Sequence, residues 1–263
     1  MKPAPFELAR PANLAEAAAA LAQHPDGARL LAGGQSLGPM LNLRLVRPAI
    51  LVAIAHLPEL GAVAEDADAV TLGAAVTHAA IADGRTPDIG GGILARIAQG
   101  IAYRAVRNLG TIGGSLCHAD PAADWLCTLT ALGASVVTWR EGGGRAILLG
   151  QFVTGAFRTA LEPGEIAQAV RVPRPSPRAR WGYYKACRKP GEFAHAMAAV
   201  LHDPTRGIRR AVIGAVGGPP VVLEGERVTP AAAEDALRDA GLDAVARRMQ
   251  AVALQRALAE AAA

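Results

Sequence analysis

Apolar residues recur along this chain at two spacings, and the switches between them mark its elements. Leu14 to Ala22 is apolar at helical spacing behind Asn13, with Glu16 three residues on. An Asn that accepts from the third residue and a Glu that reaches back make a capped helix start. Pro25-Asp26-Gly27 ends that helix. Short apolar runs at Arg29–Ala32 and Ile50–Ile54 predict strands, and with the helix they form a small βαβ-like unit. Val70–Ala74, Ser135–Trp139, Ala146–Leu149 and Glu165–Val172 read as further strands, and Thr77–Ala82, Gly91–Ile101 and Trp125–Leu132 as helices. Asn108–Ser115 reads as a glycine-rich loop. Glu141–Arg145 reads as a hairpin tip, because its consecutive glycines tolerate positive φ. Pro173, Pro175 and Pro177 then break the pattern and predict a boundary. Residues 1–174 fall before it, subdivided near residue 56, and 175–263 after it. In the second part Gly182–Arg188, Ala196–Leu201 and Gly207–Gly214 read as a strand meander, with a helix as the alternative for one of them. Pro230–Ala240 and Leu242–Ala262 read as helices.

Composition narrows the class. With 263 residues, 51% hydrophobic and 19% charged, the chain has the makeup of a globular protein with a real core. Its net charge of +4 and pI near 9.3 are only mildly basic. No Lys/Arg run is interleaved with aromatics, so nucleic-acid binding is not expected. Arginine far exceeds lysine, which suits interfacial ion pairs and phosphate contacts. Cys117, Cys127 and Cys187 contain no C-x-x-C pair, and their number is odd, so neither a disulfide framework nor an iron–sulfur site is expected. Met1–Ala12 lacks a charged region followed by an apolar run, and Leu14–Ala22 is too short to cross a bilayer. A cytoplasmic protein without a membrane span is the expectation.

Two segments carry candidate chemistry. Ala32-Gly33-Gly34-Gln35-Ser36-Leu37 and Thr111-Ile112-Gly113-Gly114-Ser115-Leu116 each place a Gly-Gly pair and a hydroxyl after an apolar run. Glycines let backbone N–H groups close around an oxyanion, and the hydroxyls of Ser36, Ser115 and Thr111 add donors. A Gly-Gly-x-Ser turn by itself is usually only a turn, but a diphosphate needs donors from more than one side, and two such loops can supply them. Neither a G-x-G-x-x-G fingerprint after the first strand nor a G-K-[ST] phosphate loop is present.

At these residues a family resemblance appears. A-G-G-Q-S-L-x-P-M-x-N-x-R, Ala32 to Arg44, resembles the first FAD loop of the medium subunits of the carbon monoxide dehydrogenase and xanthine dehydrogenase family. R-N-x-G-T-I-G-G-S-L-x-H-A-D-P-A-A-D, Arg107 to Asp124, is similar to their second. Tyr184-Lys185 through Arg188, then Gly191-Glu192-Phe193-Ala194, resembles the entrance to their C-terminal domain. The resemblance covers nearly the whole chain. It implies an α+β fold: a two-part FAD-binding domain of the p-cresol methylhydroxylase type, then a smaller α+β C-terminal domain with an antiparallel sheet and helices. It implies that Ala32, Gly33, Gly34, Gln35, Ser36, Leu37, Thr111, Ile112, Gly113, Gly114 and Ser115 hold the pyrophosphate and ribityl parts of FAD. Asp124 would bond the adenosine ribose, Lys185 would lie near the flavin ring, Leu161 near its edge, and Phe193 would shield one face. With Gln35 rather than His or Cys in the first loop, the FAD is expected to be non-covalent.

The chain also departs from the family pattern. It has Arg107-Asn108-Leu109-Gly110 where R-N-R-G is usual, and Leu51-Val52-Ala53-Ile54 where L-V-D-I is frequent. Some relatives carry Tyr at the position of Phe193, and the last helix lacks the usual Tyr-Arg pair.

Plainer readings stand beside these. Asp124, just before an apolar helix, is equally a helix N-cap or first-turn carboxylate. Phe193 reads as a core aromatic, Lys185 as a strand residue whose stem is covered, and Cys117 as a small buried thiol. His118 reads as a loop histidine and not a metal ligand. Arg104 and Arg107 suit either a solvated face or a subunit interface. The implied activity is electron relay in an oxidoreductase complex. A large molybdopterin subunit and a small [2Fe-2S] subunit would be the partners, in a dimer of heterotrimers, with the organic substrate held on another chain. Two alternatives stay open: a self-contained flavin oxidase of the same fold, and a nucleotide-binding module without redox function.

Overall fold

A computed structural model describes residues 2–263. Near the N-terminus Glu7–Ala9, Ala28–Leu31 and Ile50–Ala53 form a parallel sheet with Ile50–Ala53 in the middle. Parallel neighbours need crossovers, and the helices Leu14–Gln23 and Leu37–Asn42 lie in those connections. The first starts as its sequence dictates: Asn13 Oδ1 accepts from Glu16 N–H at 2.9 Å, and Glu16 reaches back to the Ala12 N–H at 2.8 Å. Its inner face buries Leu14 and Ala17 with Val52, Ile54, Leu57 and Leu60.

The second sheet is antiparallel, in the order Val63–Glu65, Ala69–Gly73, Ile166–Pro173, Ser135–Trp139, Ala146–Leu148. Its central strand is the last in sequence, with Val170 opposite both Leu72 and Val136. Helices His78–Ala82, Ile93–Gln99, Ile112–His118 and Asp124–Leu132 contribute to the core beside it. Every residue of Asp124–Leu132 is buried, because a second layer covers its outer side. That layer is a four-stranded antiparallel meander: Arg180–Ala186, Ala196–Asp203, Ile208–Gly214 and Val221–Glu224. Cys127 and Ala131 pack against Met197, Ala199 and Val212 at this seam. Helices Pro230–Asp239 and Ala244–Ala262 form the other core of the meander. Gly182 lets the last helix come this close, since a Cβ there would lie 1.9 Å from the Ala257 carbonyl oxygen. Of the proline cluster, Pro173 ends the central strand of the second sheet, and Pro175 and Pro177 lie between the second and third sheets.

The fold is therefore α+β, as the motifs implied, and it corrects several local readings. The three segments read as a meander are strands, and the helical alternative for one of them falls away. The glycine-rich stretch expected as one loop over Asn108–Ser115 is a loop only as far as Thr111: a short Arg104–Arg107 helix precedes it, and Thr111 caps the helix Ile112–His118, which takes up the rest. Tertiary packing overrides the poor helix propensity of Gly-Gly here, for a Cβ on Gly113 would lie 2.4 Å from that of Ala74. Among the described residues no helix is long and apolar enough to cross a membrane.

Candidate functional site

The first glycine segment leaves the edge strand Ala28–Leu31 of the parallel sheet and turns sharply at Gly34, where φ is +70°. Beyond the turn the chain enters the Leu37–Asn42 helix, closed by Gly38 N–H to Gly34 O at 2.8 Å. Among the described residues, no backbone N–H from Gly33 to Leu37 donates to another group of the chain. Such a run of donors unpaired within the chain, at half-buried residues around a left-handed turn, has the form of an anion-binding nest. Gln35 braces the turn through Nε2 to the Gly33 oxygen at 2.9 Å. Ser36 sits at the N-cap position but makes no side-chain cap bond, which leaves its hydroxyl free.

The second segment packs against the first and divides its labour differently. A Cβ on Gly33 would meet the Leu109 carbonyl oxygen at 1.9 Å, so glycine there lets the two segments touch. Ile112 N–H donates to Val76 O, Gly113 N–H to Ala74 O, Gly114 N–H to Thr111 Oγ1 and Ser115 N–H to Thr111 O. These donors are already occupied. Thr111, Ile112 and Gly113 are buried, so they position the segment, while Gly114 is exposed and Ser115 half-buried at its rim. Phosphate contact by Thr111, Ile112 or Gly113 is a reading the packing does not favour.

His78, which the sequence did not single out, supports this segment from below. Its N–H donates to Gly110 O at 2.9 Å, and its Nδ1 accepts from the Trp125 indole Nε1 at 3.1 Å. Burial, with Arg107 nearby, lowers its pKa to about 4. A histidine held neutral in the fold contributes fully above its unfolded pKa, near 6.5, and that contribution is lost as pH falls toward 4. Stability should therefore drop by about 2–3 kcal/mol from this group between pH 7 and pH 4.5. Urea unfolding at both pH values should show a smaller loss in His78→Gln than in the wild type. Equal losses would remove His78 from the acid response.

Asp124 and Lys185 form a single buried ion pair, Lys185 Nζ lying 2.9 Å from Oδ1 and 3.0 Å from Oδ2. Their side chains are 7% and 9% exposed. Tyr183 donates its hydroxyl to Oδ1 at 2.8 Å, and Lys185 also reaches Gly100 O at 3.3 Å. Burial and the neighbouring carboxylate push the Tyr183 pKa well up, so it stays a donor. The structure thus brings together, at hydrogen-bonding distance, the two residues that the resemblance assigned to the adenosine ribose and to the flavin ring. Asp124 is the first residue of its helix, a first-turn carboxylate and not its N-cap, which is Ala123.

Phe193 is 60% exposed, so it is not the core aromatic of the plainer reading. It lies in the connection between Arg180–Ala186 and Ala196–Asp203. Leu161 is half-buried against the core of the second sheet. It follows the hairpin of Val153–Gly155 and Arg158–Thr159, which touches the second segment through Phe157 N–H to Ala119 O at 2.9 Å. His118 ends the Ile112–His118 helix with its ring 5.1 Å from that of Phe157. Cys117 is exposed, not buried as expected.

An α+β architecture with two glycine segments packed against each other defines the class, and comparison with known proteins gives the family. Residues 4–175 match the model of the FAD binding domain in molybdopterin dehydrogenase. The chain belongs to this family, as an FAD-binding subunit of the molybdenum hydroxylases. It is 37% identical over 202 residues to caffeine dehydrogenase subunit beta of Pseudomonas sp. (strain CBB1), covering 76% of this chain and 68% of that one. It is 36% identical over 206 residues to the carbon monoxide dehydrogenase medium chain of Hydrogenophaga pseudoflava, covering 76% and 70%. Its fold superposes on a chain of the reconstituted CO dehydrogenase from Oligotropha carboxidovorans with a TM-score of 0.87, at 30% identity and over 99% of both chains. These relatives are subunits of oxidoreductases.

Proposed function

We propose that this chain is the FAD-bearing electron-relay subunit of a molybdenum hydroxylase complex. It accepts electrons from [2Fe-2S] clusters on a small partner subunit, fed by a large molybdopterin subunit, and passes them to an external acceptor. The proposed assembly is a dimer of heterotrimers in the cytoplasm. The observation that carries the reading is the nest of unpaired N–H groups from Gly33 to Leu37, wedged against the second glycine segment. FAD, when bound, supplies a ring that takes up and releases electrons, and the protein supplies binding, orientation and electrostatics. Gly33, Gly34, Gln35, Ser36 and Leu37 would hold the pyrophosphate, with Gly114 and Ser115 at the rim. The Asp124–Lys185 pair would face one end of the cofactor as a unit. Leu161 and Phe193 would border the ring.

Co-expression with the products of neighbouring reading frames tests the whole proposal. One chromatographic peak containing FAD, molybdopterin and [2Fe-2S] clusters is the expected result. Bleaching of the flavin by an organic substrate in the isolated chain would make it a self-contained oxidase instead. The cofactor should leave the protein on acid precipitation and colour the supernatant yellow. Phe193 has its own test. An exposed side chain away from special features costs about 0.5 kcal/mol or less on truncation, so Phe193→Ala should melt as the wild type does while its visible flavin bands shift. Unchanged bands would remove Phe193 from the ring site.

A further inference from the structure

We infer that the groove beside the Arg104–Arg107 helix is a second, separate site, built for a nucleoside diphosphate or a close phosphorylated relative. The groove has a volume of about 510 Å³, and its walls include Gln99, Tyr103, Arg104, Arg107 and Lys189. That size is typical of small-molecule sites. It contains no residue of Gly33–Leu37 or Thr111–Ser115.

Charge gives the first argument. Arg104 is neutralised locally by Asp83, with contacts at 2.6 and 2.8 Å, and it also donates to Asn108. Arg107 and Lys189 have no carboxylate partner among the described residues. Two uncompensated cations therefore line one concave surface. Arg107 is also held in place: its Nη1 donates to the carbonyls of Ile101 and Ala102 at 2.9 and 2.7 Å. Its Nε–H is buried and has no acceptor. Arg107 therefore stands at the groove as a positioned guanidinium without a carboxylate partner, the kind of group that recognises phosphate.

The opposite wall gives the second argument. Lys189-Pro190-Gly191 is fixed against the floor by a bridge between Gly191 and Ile101, with Ala102 N–H to Gly191 O at 3.0 Å. A Cβ on Gly191 would meet the Ala102 oxygen at 2.7 Å, and φ there is +88°, so glycine sets this approach. Tyr103 is 70% exposed, which leaves a bare aromatic face beside the cations. Anion plus stacking platform is the recognition set for a nucleotide, where the base lies on the ring and the phosphates on the cations. The site stands next to the proposed flavin ring region, since Lys185 reaches Gly100, one residue beyond Gln99, and Phe193 follows Gly191 by two residues.

The test uses the full chain saturated with FAD, titrated calorimetrically with ADP and, separately, with inorganic pyrophosphate. ADP should bind, more weakly at high salt, and more tightly than pyrophosphate. Lys189→Glu should weaken ADP about tenfold or more, and Tyr103→Ala should weaken ADP but leave pyrophosphate unchanged. Both residues are exposed, so both variants should fold. No ADP binding overturns the inference, and so does binding unchanged in Lys189→Glu. Equal affinities for ADP and pyrophosphate, unaffected by Tyr103→Ala, would reduce the groove to a simple anion site and overturn the nucleotide assignment. Gly34→Asp separates this inference from the flavin reading. ADP binding that survives in that variant keeps the groove distinct from the nest, and ADP binding that vanishes with it places the ADP in the nest and overturns the groove.

Discussion

Lys185→Met should lower stability by about 3–5 kcal/mol, because it leaves the Asp124 carboxylate buried with Tyr183 as its remaining partner. Asp124→Ala should cost a similar amount from the other side, stranding the ammonium group against Gly100 O. The double variant Asp124→Leu with Lys185→Met should recover most of the loss, since a packed apolar pair replaces a buried ion pair at little net cost. Urea melts of the three proteins measure this directly. Single losses below about 1 kcal/mol would mean that water reaches the pair and it behaves as a surface contact. The pair joins the buried Asp124–Leu132 helix to the first strand of the third sheet, so its loss should loosen that sheet first. FAD titration of the folded protein reads a separate quantity. Asp124→Ala should weaken FAD by about 1.5–3 kcal/mol where the carboxylate accepts a bond from the cofactor. Unchanged affinity would confine Asp124 to the seam between the layers.

How much of this was legible in the sequence depends on how local each cause is. The Asn13–Glu16 cap and the Trp125–Leu132 helix were readable because their determinants lie within a few residues. So was the hairpin at Glu141–Arg145, whose strands Ser135–Trp139 and Ala146–Leu148 pair directly. The edge strands Glu7–Ala9, Val63–Glu65 and Val221–Glu224 were not, because they are short and mostly exposed at the sheet edges, so burial imposes no clear pattern on them. The Ile112–His118 helix was hidden by its glycines, which local propensity reads as loop and which only close packing on Ala74 explains. Site residues followed the same division. The glycine segments were visible as motifs, and the family resemblance gave them a cofactor. The Asp124–Lys185 contact spans 61 positions and left no trace in spacing, so the two residues were assigned to opposite ends of one ligand. His78 carries no motif at all. Its role depends on Trp125, 47 positions away, and nothing near it in the sequence marks a buried neutral histidine.

Gly34→Asp should empty the proposed flavin site while leaving much of the fold in place. Three effects meet at this residue, and their sizes decide the outcome. The backbone effect is small: φ is +70°, a left-handed position that disfavours side chains, but Asp tolerates it better than most. The steric effect is also small, since the new Cβ would meet only the flexible tip of Leu31, at 3.3 Å. The charge is the large term. A carboxylate in the middle of the unpaired N–H groups would take the donors itself and face the cofactor pyrophosphate, with a repulsion of about 4 kcal/mol at contact and an effective dielectric near 20. That is roughly a thousandfold in affinity. Gly34→Asn is the control, since it keeps the shape and the left-handed tolerance but removes the charge. It should retain most of its FAD, with a loss nearer 1 kcal/mol. The measurement is the ratio of flavin to folded protein after purification, for wild type and both variants. A folded Gly34→Asp protein with full flavin would sink the assignment of the nest, because no diphosphate tolerates that carboxylate at contact distance. Equal losses in Asp and Asn variants would point instead to backbone strain as the cause, and would leave the nest without its electrostatic role.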